Sequence, residues 1–439
     1  MERHSSDWRT VLLVLGAGGG LLLALGAAFA MLALASQDAL NPPVAAPANR
    51  TPLDLVILGS AFIAIGAAFA PSVYYAGRSL RGRPIPPADP RVLKTWQAVL
   101  LVLLWLGAGV AAGPLVQYPV LKWITPLLYL LAIGIPVYFF VRLAAGGLHP
   151  GSQERLWGVL AAGMGLGIAP AIVLELLLAF AALVGAGVYV GLHPDQLAGL
   201  EQLALQLQSS TDLQQVMQMI APLASSPLAV LAALVFFSGF SPVIEESAKS
   251  LAVWSVYDHL TSPAQGFALG ALSGAAFGLV ESLLVSATPD TGWTSTLLVR
   301  GASTMMHIMT ASLTGWGIGQ LRALHRVGPL VGLYAAAMAL HGLWNGAVVL
   351  VAFGSLRTAL ASAGPDVIGI LLTLLGGALL LVLFLGIPVG MATLNWRLRA
   401  ASPVAAPVVE PPAGAEPPHP PDERPPHDPR DDAPQGPAA

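Results

Sequence analysis

Uninterrupted apolar runs of about 20 residues recur along most of this chain, and each is long enough to cross the ~30 Å hydrocarbon layer of a bilayer as one helix. Only 10% of its 439 residues are charged and 55% are hydrophobic, against about 25% charged in a soluble domain. A water-soluble globular fold is thereby excluded. Long continuous runs also exclude an outer-membrane barrel, whose strands read as ~10-residue alternating segments. In lipid a helix satisfies its own backbone, so the expected fold is an all-α, polytopic membrane helical bundle.

Ten spans are expected, near 10–35, 53–76, 95–116, 123–141, 157–191, 228–257, 264–287, 297–320, 329–352 and 366–396. The first contains Ala33-Leu34-Ala35, which resembles a signal-peptidase site, but its apolar run far exceeds the 7–15 residues of a signal h-region. Loop 77–94 carries Arg78, Arg81, Arg83, Arg91 and Lys94, whereas 192–227 has no Lys or Arg. Positive charge collects on the cytoplasmic side, so both termini are expected to be cytoplasmic. The outer segment 192–227 is amphipathic through Leu200, Leu203, Leu207, Leu213, Val216, Met219 and Ile220. That pattern suits either a helix lying on the outer interface or an ordinary loop. Residues 401–439 hold 13 prolines and nine charged residues without Leu, Ile or any aromatic, the composition of a disordered cytoplasmic tail.

The chain has no cysteine, which removes disulfides, thiolate metal sites and a cysteine nucleophile. With a formal charge of −3 and no long basic cluster, nucleic acid is not an expected partner. Function has to be sought in ionisable groups placed where lipid disfavours them, because each costs on the order of 2.5–3.5 kcal/mol at a helix centre. Spans two to four have essentially none within their cores. Spans six to nine hold Glu245, Glu246, Lys249, Glu281, Arg300, His307, His341 and Asn345.

In the sixth span, Pro242 can occupy the first turn of a new helical segment or kink a continuous one, and Ser241 is placed to cap it. Glu245 and Lys249 follow at i,i+4, and Glu246 and Lys249 at i,i+3, so the lysine can neutralise one carboxylate and leave the other available. A juxtamembrane charge pair would read the same way. In the seventh span the small residues Gly270, Ala271, Gly274, Ala275 and Gly278 allow close helix approach and turn Glu281 into the bundle. Arg300 and His307 share a face of the eighth span, near Ser303, Thr304, Thr310 and Ser312. His341 and Asn345 stack on a face of the ninth, where imidazole and amide can orient a water or hold an oxyanion. At 1.5 Å per residue, His307 and His341 fall near mid-membrane, Glu281 nearer the outer side and the Glu pair nearer the inner side; shifted helix ends or an opened helix at Pro242 would bring them level.

The ordered set E-E-x-x-K (Glu245, Glu246, Lys249), F-x-x-x-E (Phe277, Glu281), an Arg followed by a His (Arg300, His307) and H-G-L-W-N (His341 to Asn345) resembles the PrsW family of intramembrane proteases, within the wider group of CAAX-type and bacteriocin-processing membrane proteases. The motifs cover about 110 of 439 residues; Ser282 stands where the family often has Asn after F-x-x-x-E. The resemblance implies a multi-pass protein of a bacterial-type plasma membrane that hydrolyses a peptide bond of a membrane-anchored protein substrate, with an anti-sigma factor as the best-known target. It implies Glu245, Glu246 and His307 as catalytic residues, His341 and Asn345 as oxyanion or water-positioning groups, and Lys249, Glu281 and Arg300 in support. A divalent metal, zinc by preference, is expected on Glu281, His307 and His341, with Glu246 a further donor. The family is filed with metalloproteases, although the H-E-x-x-H spacing that puts two zinc ligands on one turn is missing.

The expected organisation is an accessory transmembrane region (1–225), a protease core (226–352), a final transmembrane helix (353–400) and the tail (401–439). Two other classes compete: a proton-coupled transporter, since intramembrane Glu and His also form proton relays, and an inactive scaffold. The transporter would employ Glu175, an acid isolated in span five for which the protease reading has no role.

Overall fold

A computed structural model describes residues 8–40, 51–192, 205, 219, 226–289, 292–361 and 364–401. The amphipathic segment expected between 192 and 227 and the Pro-rich tail lie almost wholly outside the described residues. Those described are helical, with no strand beyond an isolated bridge between Pro87 and Ser152. The helices are α1 (Trp8–Leu40), α2 (Pro52–Leu80), α3 (Thr95–Leu115), α4 (Thr125–Ala145), α5 (Gln153–Ala162), α6 (Ile168–Gly191), α7 (Pro227–Ala233), α8 (Ser241–Trp254), α9 (Pro263–Val285), α10 (Trp293–Leu324), α11 (Val327–Leu360) and α12 (Val367–Ala401). π-helical turns at Gly163–Gly167 and Leu234–Phe240 join α5 to α6 and α7 to α8.

Helix starts follow local chemistry. Thr51 and Asp54 form a reciprocal capping box at α2, and the hydroxyls of Ser152, Ser226 and Ser262 accept backbone N–H groups two or three residues into α5, α7 and α9, satisfying donors that a helix leaves open. Nine helical segments among the described residues are long and apolar enough to cross a membrane, one fewer than the ten expected. The exception is α10. Its 32 residues give ample length, but Arg300, His307 and a series of hydroxyls make it too polar for lipid, and its middle is buried among α3, α4, α8, α9 and α11. The outer helices instead turn large apolar side chains outward, among them Leu23, Phe29, Leu103, Leu177 and Leu183, as lipid rather than water demands.

The tightest element pair is α9 with α10. Gly266, Gly270, Gly274 and Gly278 recur every fourth residue of α9 and press against the backbone of α10: a Cβ on Gly274 would meet the His307 carbonyl and stand 2.8 Å from Ile308 Cα. At the end of α9, Tyr129 of α4 donates its hydroxyl to the Leu283 carbonyl and stacks on Trp293. These contacts fix Glu281 and His307 relative to each other.

Pro242 lies in the first turn of α8, as expected, while the chain stays helical through it and does not open; Ser241 is helical rather than a cap. Proline has no N–H and its ring crowds the carbonyl four residues before it; the π-helical turn relieves this by widening the backbone, with Ser241 N–H bonding to Phe236 O. The Phe237 carbonyl would then look to residue 242 for a donor, which proline lacks.

Candidate active site

The carbonyl left open at Phe237 explains Asn345. Its side-chain Nδ2 donates to Phe237 O at 2.9 Å, while Gly342, whose Cβ would collide with Ser238 O, lets α11 approach. Asn345 was expected as an oxyanion or water-positioning group; one of its two side-chain N–H donors closes the π-helical turn here, one turn of helix before the Glu pair.

On α8, Glu246 and Lys249 are completely buried and Glu245 nearly so. Glu246 Oε1 accepts from Lys249 Nζ at 2.7 Å and from Thr310 Oγ1 at 3.0 Å, and lies 2.8 Å from His341 Nδ1. A carboxylate oxygen can only accept, so Nδ1 of His341 carries the proton and Nε2 is left with its lone pair. Lys249 Nζ also stands 3.2 Å from Glu245 Oε2, 2.8 Å from His307 Nδ1 and over the face of Phe277. An ammonium only donates, so Nδ1 of His307 bears the lone pair. Its Nε2 faces Glu281 Oε2 at 2.8 Å, and Arg300 holds the same oxygen at 2.8 Å.

Each imidazole thus has a carboxylate behind its protonated nitrogen and turns its bare nitrogen toward Glu245. Oε2 of Glu245 lies 3.8 Å from His307 Nδ1 and 3.8 Å from His341 Nε2. That oxygen is buried and accepts no hydrogen bond among the described residues. The three donors lie within 4.8 Å of one another. Zn–N and Zn–O bonds of about 2.0–2.2 Å put tetrahedral ligand atoms about 3.4 Å apart, so these donors need close only slightly on an ion, and the carboxylates behind the imidazoles are the outer-shell partners that metal-ligating histidines usually have.

Charge agrees with this donor set. Among the described residues Glu245, Glu246 and Glu281 meet only Lys249 and Arg300 as permanent cations in this cluster, and a divalent ion would offset the negative charge left over. For His307 to bind through Nδ1, Lys249 has to release that nitrogen while keeping Glu246. The ligand set therefore differs from expectation in one member. Glu281, expected as a ligand, stands behind His307 with Arg300, and Glu245 takes its place.

Of the expected site residues, Glu245, Glu246, Lys249, Glu281, Arg300, His307 and His341 converge and Asn345 stands apart at the π-helical turn. Three contacts were not foreseen in the sequence. Thr310 bonds Glu246, Phe277 packs beside both Lys249 and the His307 ring, and Ser241 Oγ lies 2.5 Å from Glu175 Oε1 and 3.0 Å from Glu245 Oε1. The available signals were Thr310 three residues beyond His307, and the cost of a lone acid in span five.

Residues 173–375, a little under half of the chain, match the family model of PrsW family intramembrane metalloproteases. No curated protein and no solved structure gave a match.

Proposed function

We propose that this multi-pass membrane protein, a PrsW-like intramembrane metalloprotease, hydrolyses a peptide bond of a membrane-anchored regulatory protein, an anti-sigma factor or a similar one, in a bacterial-type plasma membrane with both of its own termini cytoplasmic. The observation that carries this reading is the convergence of Glu245 Oε2, His307 Nδ1 and His341 Nε2, each imidazole oriented by a carboxylate on its far side.

Glu245, His307 and His341 would hold the divalent metal. Bound there, such an ion would supply Lewis acidity to the scissile carbonyl and to the attacking water. The chain's own residues do the rest. Glu246 and Glu281 hold the two imidazoles in one tautomer and orientation. Glu246, whose Oε2 is buried and accepts no hydrogen bond among the described residues, takes the proton that the attacking water loses, then returns it to the leaving amine. Lys249 places positive charge beside the atoms where the tetrahedral oxyanion develops. Burial of the cluster strengthens each of these interactions by excluding water.

The experiment is incubation of the purified protein in detergent or liposomes with single-span membrane substrates. A discrete cleavage product, absent with Glu245→Gln, is the expected result. Proton-coupled uptake without cleavage would overturn the reading in favour of transport, and neither activity across a substrate panel would favour a scaffold.

A further inference from the structure

α6 is apolar and faces outward past Ala171: Ile172, Val173, Leu174, Leu176 and Leu177 are all exposed. Within that run Glu175 is only partly exposed and turns back to the bundle, where its Oε1 lies 2.5 Å from Ser241 Oγ of α8. The same Ser241 oxygen lies 3.0 Å from Glu245 Oε1. Ser241 and Glu245 are four residues apart on α8, so both face α6 side by side. Glu245 is thereby held at both ends, by Ser241 at Oε1 and by Lys249 at Oε2, and only Oε2 points to the imidazoles.

We propose that Glu175 is a positioning residue of the active site, acting on Glu245 through Ser241. Ser241 has a single O–H to give. A carboxyl proton on Glu175, donated to Ser241 Oγ, leaves that O–H for Glu245 Oε1, and this bond sets the rotamer of the Glu245 carboxylate. The role of Glu175 is that of an outer-shell partner, whose loss typically lowers metal affinity or activity 10–100-fold. It also ties the otherwise loosely attached α6 to the catalytic helix, which accounts for an acid in a lipid-facing segment.

The inference rests on the hydrolase reading above, and its test is built to separate the two. Zn²⁺ binding to the full chain and cleavage kinetics are measured for the wild type, Glu175→Leu, Glu175→Gln, Ser241→Ala and the Glu175→Leu/Ser241→Ala double variant. Leucine inserts in an apolar helix at least as easily as glutamate, so folded protein is expected throughout. Glu175→Leu and Ser241→Ala should each lower Zn²⁺ affinity and kcat by about tenfold or more, with KM little changed. The double variant should lose no more than either alone, since both act along one path. Glu175→Gln should stay within about threefold of the wild type, because its carboxamide N–H still donates to Ser241 Oγ and leaves the Ser241 O–H for Glu245.

Wild-type behaviour of Glu175→Leu would overturn the inference. So would a double variant whose losses multiply, or a Glu175→Gln as impaired as Glu175→Leu. Failure of the wild type to bind Zn²⁺ would count against the metal assignment, and the same series read by kcat would still decide for or against the tie.

Discussion

Gly274→Ala adds one methyl group where α9 crosses α10. That carbon would stand 2.7 Å from the His307 carbonyl carbon and 2.8 Å from Ile308 Cα, whereas non-bonded carbons settle at about 3.5–4.0 Å. Both obstacles are backbone and cannot rotate aside, so the helices must part by about 0.7–1 Å. Overpacking of this kind costs about 1–3 kcal/mol. The larger effect is catalytic, because His307 is carried on α10 and its partner Glu281 on α9, and the separation acts directly on their 2.8 Å contact. A displacement of about 1 Å lowers a rate on the order of 10²-fold. The assay is cleavage per unit of folded protein, read beside thermal unfolding in the same detergent. Gly239→Ala is the matched control: it lies two residues from Ser241, and its Cβ would meet nothing within 4 Å. Full activity and unchanged unfolding in Gly274→Ala would refute the claim that the α9–α10 crossing sets the site.

Glu245→Gln, Glu246→Gln and His307→Ala should each abolish cleavage, but only Glu246→Gln should also destabilise the fold, by about 3–5 kcal/mol, since it strips the 2.7 Å partner from the buried Lys249; equal unfolding temperatures for Glu245→Gln and Glu246→Gln would contradict that division of roles. Reporters fused after Arg83 and Arg399 should read as cytoplasmic and one near Gln208 as extracytoplasmic, with an exported signal from the Arg83 fusion as the contrary result. Deleting 403–439 should leave insertion and stability intact, and a fall in folded protein would show that the tail packs.

The site was legible in the sequence because lipid makes ionisable side chains conspicuous. Glu245, Glu246, Lys249, Glu281, Arg300, His307 and His341 stand out against their neighbours, and i,i+3 and i,i+4 spacing gives their common faces. Spacing along one helix does not give the rotation or depth of the next. For that reason the sequence did not show that Glu245, rather than Glu281, groups with the bare nitrogens of both imidazoles, and rise-per-residue arithmetic set Glu281 nearer the outer side and the Glu pair nearer the inner side. The bond made by Asn345 was hidden for another cause. Pro242 announced an irregular helix, but only the π-helical turn showed that the irregularity frees the Phe237 carbonyl rather than opening the chain. α10 was counted as a span with the other apolar runs, although its polarity requires neighbouring helices around it. The tie from Glu175 to Ser241 joins residues 66 apart, a separation at which no local pattern operates.

The central claim is that Glu245, His307 and His341 hold one divalent ion that cleavage requires. It is tested most directly by elemental analysis and cleavage measured on the same purified sample, before and after chelation and after Zn²⁺ is restored. The account predicts about one ion per chain, loss of metal and activity together on chelation, and recovery of both, with neither in His307→Ala/His341→Ala. Undiminished cleavage from a sample shown to contain no metal would contradict it.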